Sequence, residues 1–174
     1  MLLCSSTLTG RCKSDAVVIE SDERYAQYTF RYFQPTHYVI TNLYRDQLTR
    51  NGHPQWVYKA IEPSIGPDCT LILNADDPLV SLFGRGRPNR VVWFGMDRQS
   101  FSTDRSTGIY NDGKYCPLCH APMAYDYYHY NHIGAYRCTR CDFRRPETAF
   151  TVTDADLDAG FLTINGKDRI ELAF

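Results

Sequence analysis

The sequence predicts an α/β domain: a mostly parallel central sheet with flanking helices, interrupted by a small four-cysteine zinc ribbon. Three observations carry that expectation. Four short apolar runs, at 16–20, 37–42, 70–73 and 91–95, alternate with helix-compatible stretches, as strands do in a buried parallel sheet. Two C-x-x-C pairs follow late in the chain. The composition is that of an ordinary folded protein, 43% hydrophobic and 22% charged over 174 residues, enough to bury a core without disulfides.

Residues 1–14 show no periodicity and read as a ragged beginning. Ala16-Val17-Val18-Ile19-Glu20 is the first strand-like run, closing on acids. Residues 22–33 are rich in aromatics and predict a helix that stops before Pro35. His37 to Asn42 is the second strand. Residues 43–50 are polar and helix-compatible, broken by Gly52-His53-Pro54. Residues 55–62 predict a further helix, ended by Pro63 and Gly66. Thr70-Leu71-Ile72-Leu73 is the third strand, followed by a helical turn over 79–84. Val91-Val92-Trp93-Phe94-Gly95 is the fourth. Ser, Thr, Asp and Gly dominate 100–113, a linker. Residues 113–146 form the insertion, and 147–174 read as extended pieces with an Asn165-Gly166 hairpin turn. The domain is thus expected over 15–174.

Formal net charge is −1, so no global field favours nucleic acid, and none is expected as a partner. No apolar run approaches the ~20 residues that span a bilayer. The N-terminus lacks the apolar stretch of a signal peptide. The cysteines number seven, and four of them stand in C-x-x-C pairs. That pattern favours metal in a reducing compartment over a disulfide framework, and predicts a cytoplasmic protein.

Cys116-Pro-Leu-Cys119, eighteen intervening residues, then Cys138-Thr-Arg-Cys141 match a zinc signature. Two residues between thiolates let a tight turn aim both sulfurs at one point, and two such knuckles complete a tetrahedral shell. Four sulfurs leave no place for water, so the zinc is expected to be structural. Tyr125, Tyr127, Tyr128, Tyr130 and Tyr136 would dress a small antiparallel ribbon, while His120, His129 and His132 are expected at the surface. Arg137, Arg140, Arg144 and Arg145 make the second knuckle basic and are read as solvated charges.

Three strand-like runs end in polar clusters: Glu20-Ser21-Asp22-Glu23, Thr41-Asn42 with Asp46 behind, and Asn74-Ala75-Asp76-Asp77. In an open parallel sheet such clusters gather on one rim, where ligands bind. Carboxylates and amides there suit Mg²⁺ and phosphoryl transfer. Equally, the same residues serve as helix caps. No G-x-x-x-x-G-K-[ST] phosphate cradle is present.

These three clusters, in this order, resemble those of Mur ligase central domains. Val17-Val18-Ile19-Glu20-Ser21-Asp22-Glu23, Thr41-Asn42-Leu43-Tyr44-Arg45-Asp46-Gln47-Leu48 and Leu71-Ile72-Leu73-Asn74-Ala75-Asp76-Asp77-Pro78 carry the likeness. The four-cysteine insertion, in place and wording, is similar to that of MurT-like ligase subunits. The resemblance runs from about Asp15 to the end of the chain. It implies ATP-dependent amidation of the D-glutamate of lipid II at the membrane surface, through an acyl phosphate. Ammonia would come from a GatD-like glutamine amidotransferase partner. By match to the motifs, Glu20 corresponds to the Mg²⁺-binding glutamate, and Asn42, Asp46, Asn74 and Asp76 would line the nucleotide and metal cleft. Gln47 stands where amino-acid-adding Mur ligases carry His, and Ser21 where a hydrophobic residue is usual. Lys59 lies near the position of the carbamylated lysine of those ligases but reads as an exposed helix lysine. The family's phosphate loop belongs before Asp15 and a further domain after Phe174, so the chain is expected to be a fragment, close to inactive alone. A non-catalytic zinc-ribbon binding module and an amino-acid-adding Mur-type ligase are the alternatives.

Overall fold

The computed structural model describes residues 9, 14–44, 53–110 and 112–172. Two helices, α1 (Ala26–Thr29) and α2 (Pro54–Ile61), and eight strands are found among them: β1 (His37–Ile40), β2 (Thr70–Asn74), β3 (Val91–Met96), β4 (Met123–Tyr130), β5 (Ile133–Cys138), β6 (Phe150–Asp156), β7 (Phe161–Ile164) and β8 (Asp168–Glu171). The large sheet runs in the order β1-β2-β3-β6-β7-β8, and β4-β5 form a separate hairpin. Pairs β1/β2, β2/β3 and β3/β6 are parallel, whereas β6/β7 and β7/β8 are antiparallel. The sheet is therefore mixed, mostly parallel where the sequence predicted it to be.

Alternation along the strands sorts one face from the other. Ile40, Leu71 and Leu73 join Val57 and Ile61 of α2 and the short 3₁₀ turn Val80–Gly84 in one apolar core. Val39 lies on the opposite face in register with Ile72, and remains 56% exposed. Helix α2 starts where local chemistry allows it: the His53 ring accepts from the Gln55 N–H at 3.2 Å and Pro54 occupies the first turn. It ends before Pro63, and Lys59 on its last turn is exposed, as expected.

Two expectations are corrected. Ala16 to Glu20 forms no strand: Val18 is 99% exposed. The run has β-branched residues, but a strand also needs a neighbour for its backbone N–H and C=O groups. The helix predicted over 22–33 contracts to Ala26–Thr29 and turns around it, with no side-chain cap at its start. The carboxyl-terminal pieces go beyond expectation: β6 returns from the insertion to pair with β3, extending the parallel set. Among the described residues, no helix is long and apolar enough to cross a membrane.

Candidate functional site

Parallel pairing sets the carboxyl ends of β1, β2 and β3 side by side. Two of the three clusters expected on one rim, those after β1 and β2, are thereby brought together and wired to each other; the cluster at Glu20 is not, because its run forms no strand. Asn74 donates through Nδ2 to the Thr41 carbonyl at 2.9 Å and accepts the Asp76 N–H through Oδ1 at 2.9 Å. Asn42 is exposed next to Thr41, to whose hydroxyl its Nδ2 donates at 3.3 Å. Glu20 is exposed, and among the described residues no hydrogen bond or ion pair joins it to this rim. Asp46 lies outside the described residues.

Asp76 and Asp77 face inward. Asp76 is 2% exposed; its Oδ2 accepts the Met96 N–H at 2.7 Å and its Oδ1 the Arg145 Nε–H at 2.5 Å. Burial raises its carboxyl, against the pull of Arg145. Asp77 is 0% exposed; Oδ2 accepts from Leu43 N at 2.7 Å, and Oδ1 from Leu79 N at 2.7 Å and Val80 N at 3.2 Å. The capping alternative is thus realised at Asp77, which closes the first turn of Val80–Gly84. His132 Nε2 stands 3.5 Å from Asp77 Oδ1. Burial pushes the Asp77 carboxyl up, but His132 and the N–H groups of Leu43 and Leu79 outweigh it and hold the group below its ordinary range.

Of the three ribbon histidines expected at the surface, His120 is exposed there, but the other two have buried side chains, 4% (His129) and 2% (His132) exposed. They are buried because the ribbon lies on the rim. His129 Nε2 donates to the Met96 carbonyl at 3.2 Å, so Nδ1 accepts from the Ser102 hydroxyl at 3.0 Å. Burial lowers its pKa, favouring this neutral form. Tyr127 Oη and Arg145 reach the same carbonyl at 3.1 and 3.2 Å. Gly134 N–H donates to Asp76 O at 2.9 Å, and Tyr136 Oη to Ser81 Oγ at 2.7 Å. Two glycines make room. A Cβ on Gly95 would stand 2.7 Å from both Arg145 and Asp76 Oδ1, and one on Gly134 2.2 Å from the Tyr127 carbonyl. Sequence reasoning missed His132 and Arg145 as partners of the acids. The available signal was chemical: two adjacent acids inside an apolar stretch need cationic company if buried.

The four cysteines meet as the spacing predicts. Their sulfurs lie within 4.8 Å of one another, with Cys116 to Cys141 at 3.7 Å and Cys119 to Cys138 at 3.4 Å. None of the four is in a disulfide. A tetrahedral zinc with Zn–S bonds near 2.3 Å needs sulfurs about 3.8 Å apart, so the donor set fits that ion. His120 takes a left-handed φ of 58° after the first knuckle, letting its N–H return to the Cys116 carbonyl at 2.9 Å. In the second knuckle, burial pushes the Cys138 thiol up. The N–H groups of Arg140 and Cys141, 3.3 and 3.4 Å from its sulfur, draw it down to about 6. Phe143 and Tyr136 pack beneath the cysteines, and Leu82 touches both this cluster and the main core. A separate depression of about 310 Å³ lies between β4 and the 106–114 loop, sharing no residue with the rim.

The fold with its ribbon is of a ligase type. It superposes on a pseudomurein peptide ligase type C from Methanothermus fervidus with a TM-score of 0.63, at 25% identity, over 85% of this chain and 29% of that one. More particularly, the chain resembles MurT, the subunit of lipid II isoglutaminyl synthase (glutamine-hydrolyzing). It is 35% identical over 158 residues to the MurT of Staphylococcus aureus (strain COL), covering 90% of this chain and 35% of that protein. To the MurT of Streptococcus pneumoniae (strain ATCC BAA-255 / R6) it is 33% identical over 155 residues, 87% of this chain and 33% of that protein. The resemblance read from the motifs therefore holds along most of the chain. The chain spans about a third of the length of the curated relatives it matches. No family model matches it.

Proposed function

We propose that this chain is the central domain of a MurT-like ligase subunit, which amidates the D-glutamate of lipid II at the membrane surface, in the bacterial cytoplasm. The observation that carries the reading is the rim. Asn74 ends β2 and Asn42 follows the neighbouring parallel β1, in a domain that also carries a four-cysteine cluster and is alike to MurT over nine-tenths of its length. In the proposed reaction the glutamate carboxylate attacks the γ-phosphate of ATP, giving an acyl phosphate and ADP. Ammonia, released from glutamine by a GatD-like partner, then attacks the acyl carbon and expels phosphate.

The residues divide by what their atoms have free. Glu20, exposed and without a protein partner among the described residues, would hold Mg²⁺, which supplies charge neutralisation on the phosphates. Asn42 and Asn74 would orient the nucleotide, joined by Asp46 on the segment after β1. Asp76 would belong to the cleft as its floor, since both carboxylate oxygens accept from protein donors. Cys116, Cys119, Cys138 and Cys141 would hold one structural zinc.

The test is amidation of lipid II by a MurT-like subunit containing this domain, with its glutaminase, ATP and glutamine. Glu20→Ala is expected to cut kcat by about 100-fold or more, as loss of a charge-stabilising group does. Undiminished activity would remove the Mg²⁺ role. Ligation of a free amino acid in place of ammonia would favour an amino-acid-adding ligase.

A further inference from the structure

The buried acids after β2 take their partners from two sources. Their N–H donors, Leu43, Leu79, Val80 and Met96, belong to the sheet domain. Their basic partners do not: Arg145 on Asp76 and His132 near Asp77 both come from the ribbon insertion. A buried carboxylate without such a partner is costly, so the domain depends on the insertion to keep both acids where they are.

The acids in turn hold the rim. Asp77 fixes the Leu43 N–H, one residue beyond Asn42. The Asp76 N–H is bound by the Asn74 side chain, which also holds Thr41. At the other end, Arg145 is placed by the second knuckle. Cys138 N–H donates to Phe143 O at 2.7 Å and Arg145 N–H to Tyr136 O at 2.9 Å, so the chain leaving Cys141 lies back along β5. A line of contacts runs from the second knuckle through Arg145 and Asp76 to Asn74, whose side chain holds Thr41 beside Asn42, and His132 reaches Asp77 from the far turn of the same hairpin.

We propose that Arg145 and His132 are positioning residues: they carry the order of the four-cysteine knuckles to Asp76 and Asp77, and so fix Asn42 and Asn74 at the strand-end rim. The inference rests on the reading of that rim as the nucleotide site. Its test does not require nucleotide.

Amide hydrogen exchange on this chain, zinc-loaded and then chelated, reads the clamp directly. Leu43 and Met96 report on Asp77 and Asp76, with Leu71 and Leu73 of β2 as the reference. Chelation is expected to speed exchange at Leu43 and Met96 at least tenfold and leave the reference unchanged. With zinc retained, Arg145→Met is expected to act on Met96 and shift the Asn74 side-chain amide resonance, Arg145→Lys to restore part of both, and His132→Asn to act on Leu43. If chelation speeds exchange only within 113–146, or equally at Leu71 and Leu73, the proposal is overturned. Should Arg145→Met unfold the chain, the chelation result on the unaltered chain decides. A chain whose Leu43 and Met96 respond but which, in the complete subunit, never binds Mg-ATP refutes the ligase reading and leaves the clamp standing.

Discussion

Asp77 shows how one buried side chain ties separate stretches together. It caps the Val80–Gly84 turn, receives Leu43 from beyond β1 and faces His132 from the ribbon. A carboxyl held below its ordinary value in the folded state contributes stability that is complete above the unfolded value, near pH 4, and is lost as pH falls through the folded value. Asp77→Asn keeps the shape but removes the charge and one acceptor. It is expected to cost about 3 kcal/mol at neutral pH, with the deficit shrinking below about pH 4 as the unaltered carboxyl protonates. Denaturant melts of both proteins at pH 7 and pH 3 check this, and a deficit equal at both pH values would deny Asp77 its charge. Residues whose chemistry is set by close spacing were legible in the sequence: the four cysteines assemble as their pattern implies. Asp77 and His132 were not, because the contact joins distant stretches and nothing local announces it.

Elements divide in the same way. Turns carry their own signature, and Asn165-Gly166 is one: φ values of 53° and 67° at consecutive residues turn β7 into β8. Asn165 also reaches out of its hairpin. Its Oδ1 accepts the Thr151 N–H at 2.8 Å and its Nδ2 donates to the Ala149 carbonyl at 3.1 Å, anchoring the start of β6. Asn165→Ala loses both bonds and places a Cβ-bearing residue without a polar side chain at positive φ. A loss of about 2 kcal/mol is expected, while Asn165→Gly, which keeps the turn geometry, should lose less. Thermal melts of the two variants test the order. Strands were legible where pairing followed, as at β2 and β3. Val17-Val18-Ile19 has the same local texture and stays single, since pairing is decided by what lies alongside, which texture does not encode.

At the scale of the molecule, two apolar clusters meet at Leu82, and the smaller one, under the cysteines, is thin. With the proposed zinc in place, a ribbon of that size would draw most of its stability from metal, ~10–16 kcal/mol apparent at neutral pH. Protein prepared without chelators is expected to carry one zinc per chain by elemental analysis, released on acidification because protons compete for the thiolates. A metal-free, fully folded ribbon would overturn that expectation. The mixed character of the sheet was the least legible feature. Extended pieces at the end of the chain announce strands but not direction, and β6 joins parallel to β3 only because the insertion returns the chain to the side from which β3 began.

That return has a kinetic side. Neighbouring parallel strands are usually joined by a helix that forms early and shortens the search. Here β3 and β6 are separated by residues 97–149, and what lies between is the ribbon. Until the knuckles close, this stretch is a long flexible loop. Once they close, much of it moves as one body and the entropy of joining β6 to β3 falls by about 1 kcal/mol on loop-length scaling. Cysteine closure would therefore come early in the folding order, and the β6–β8 hairpins would be the last strands to find the sheet.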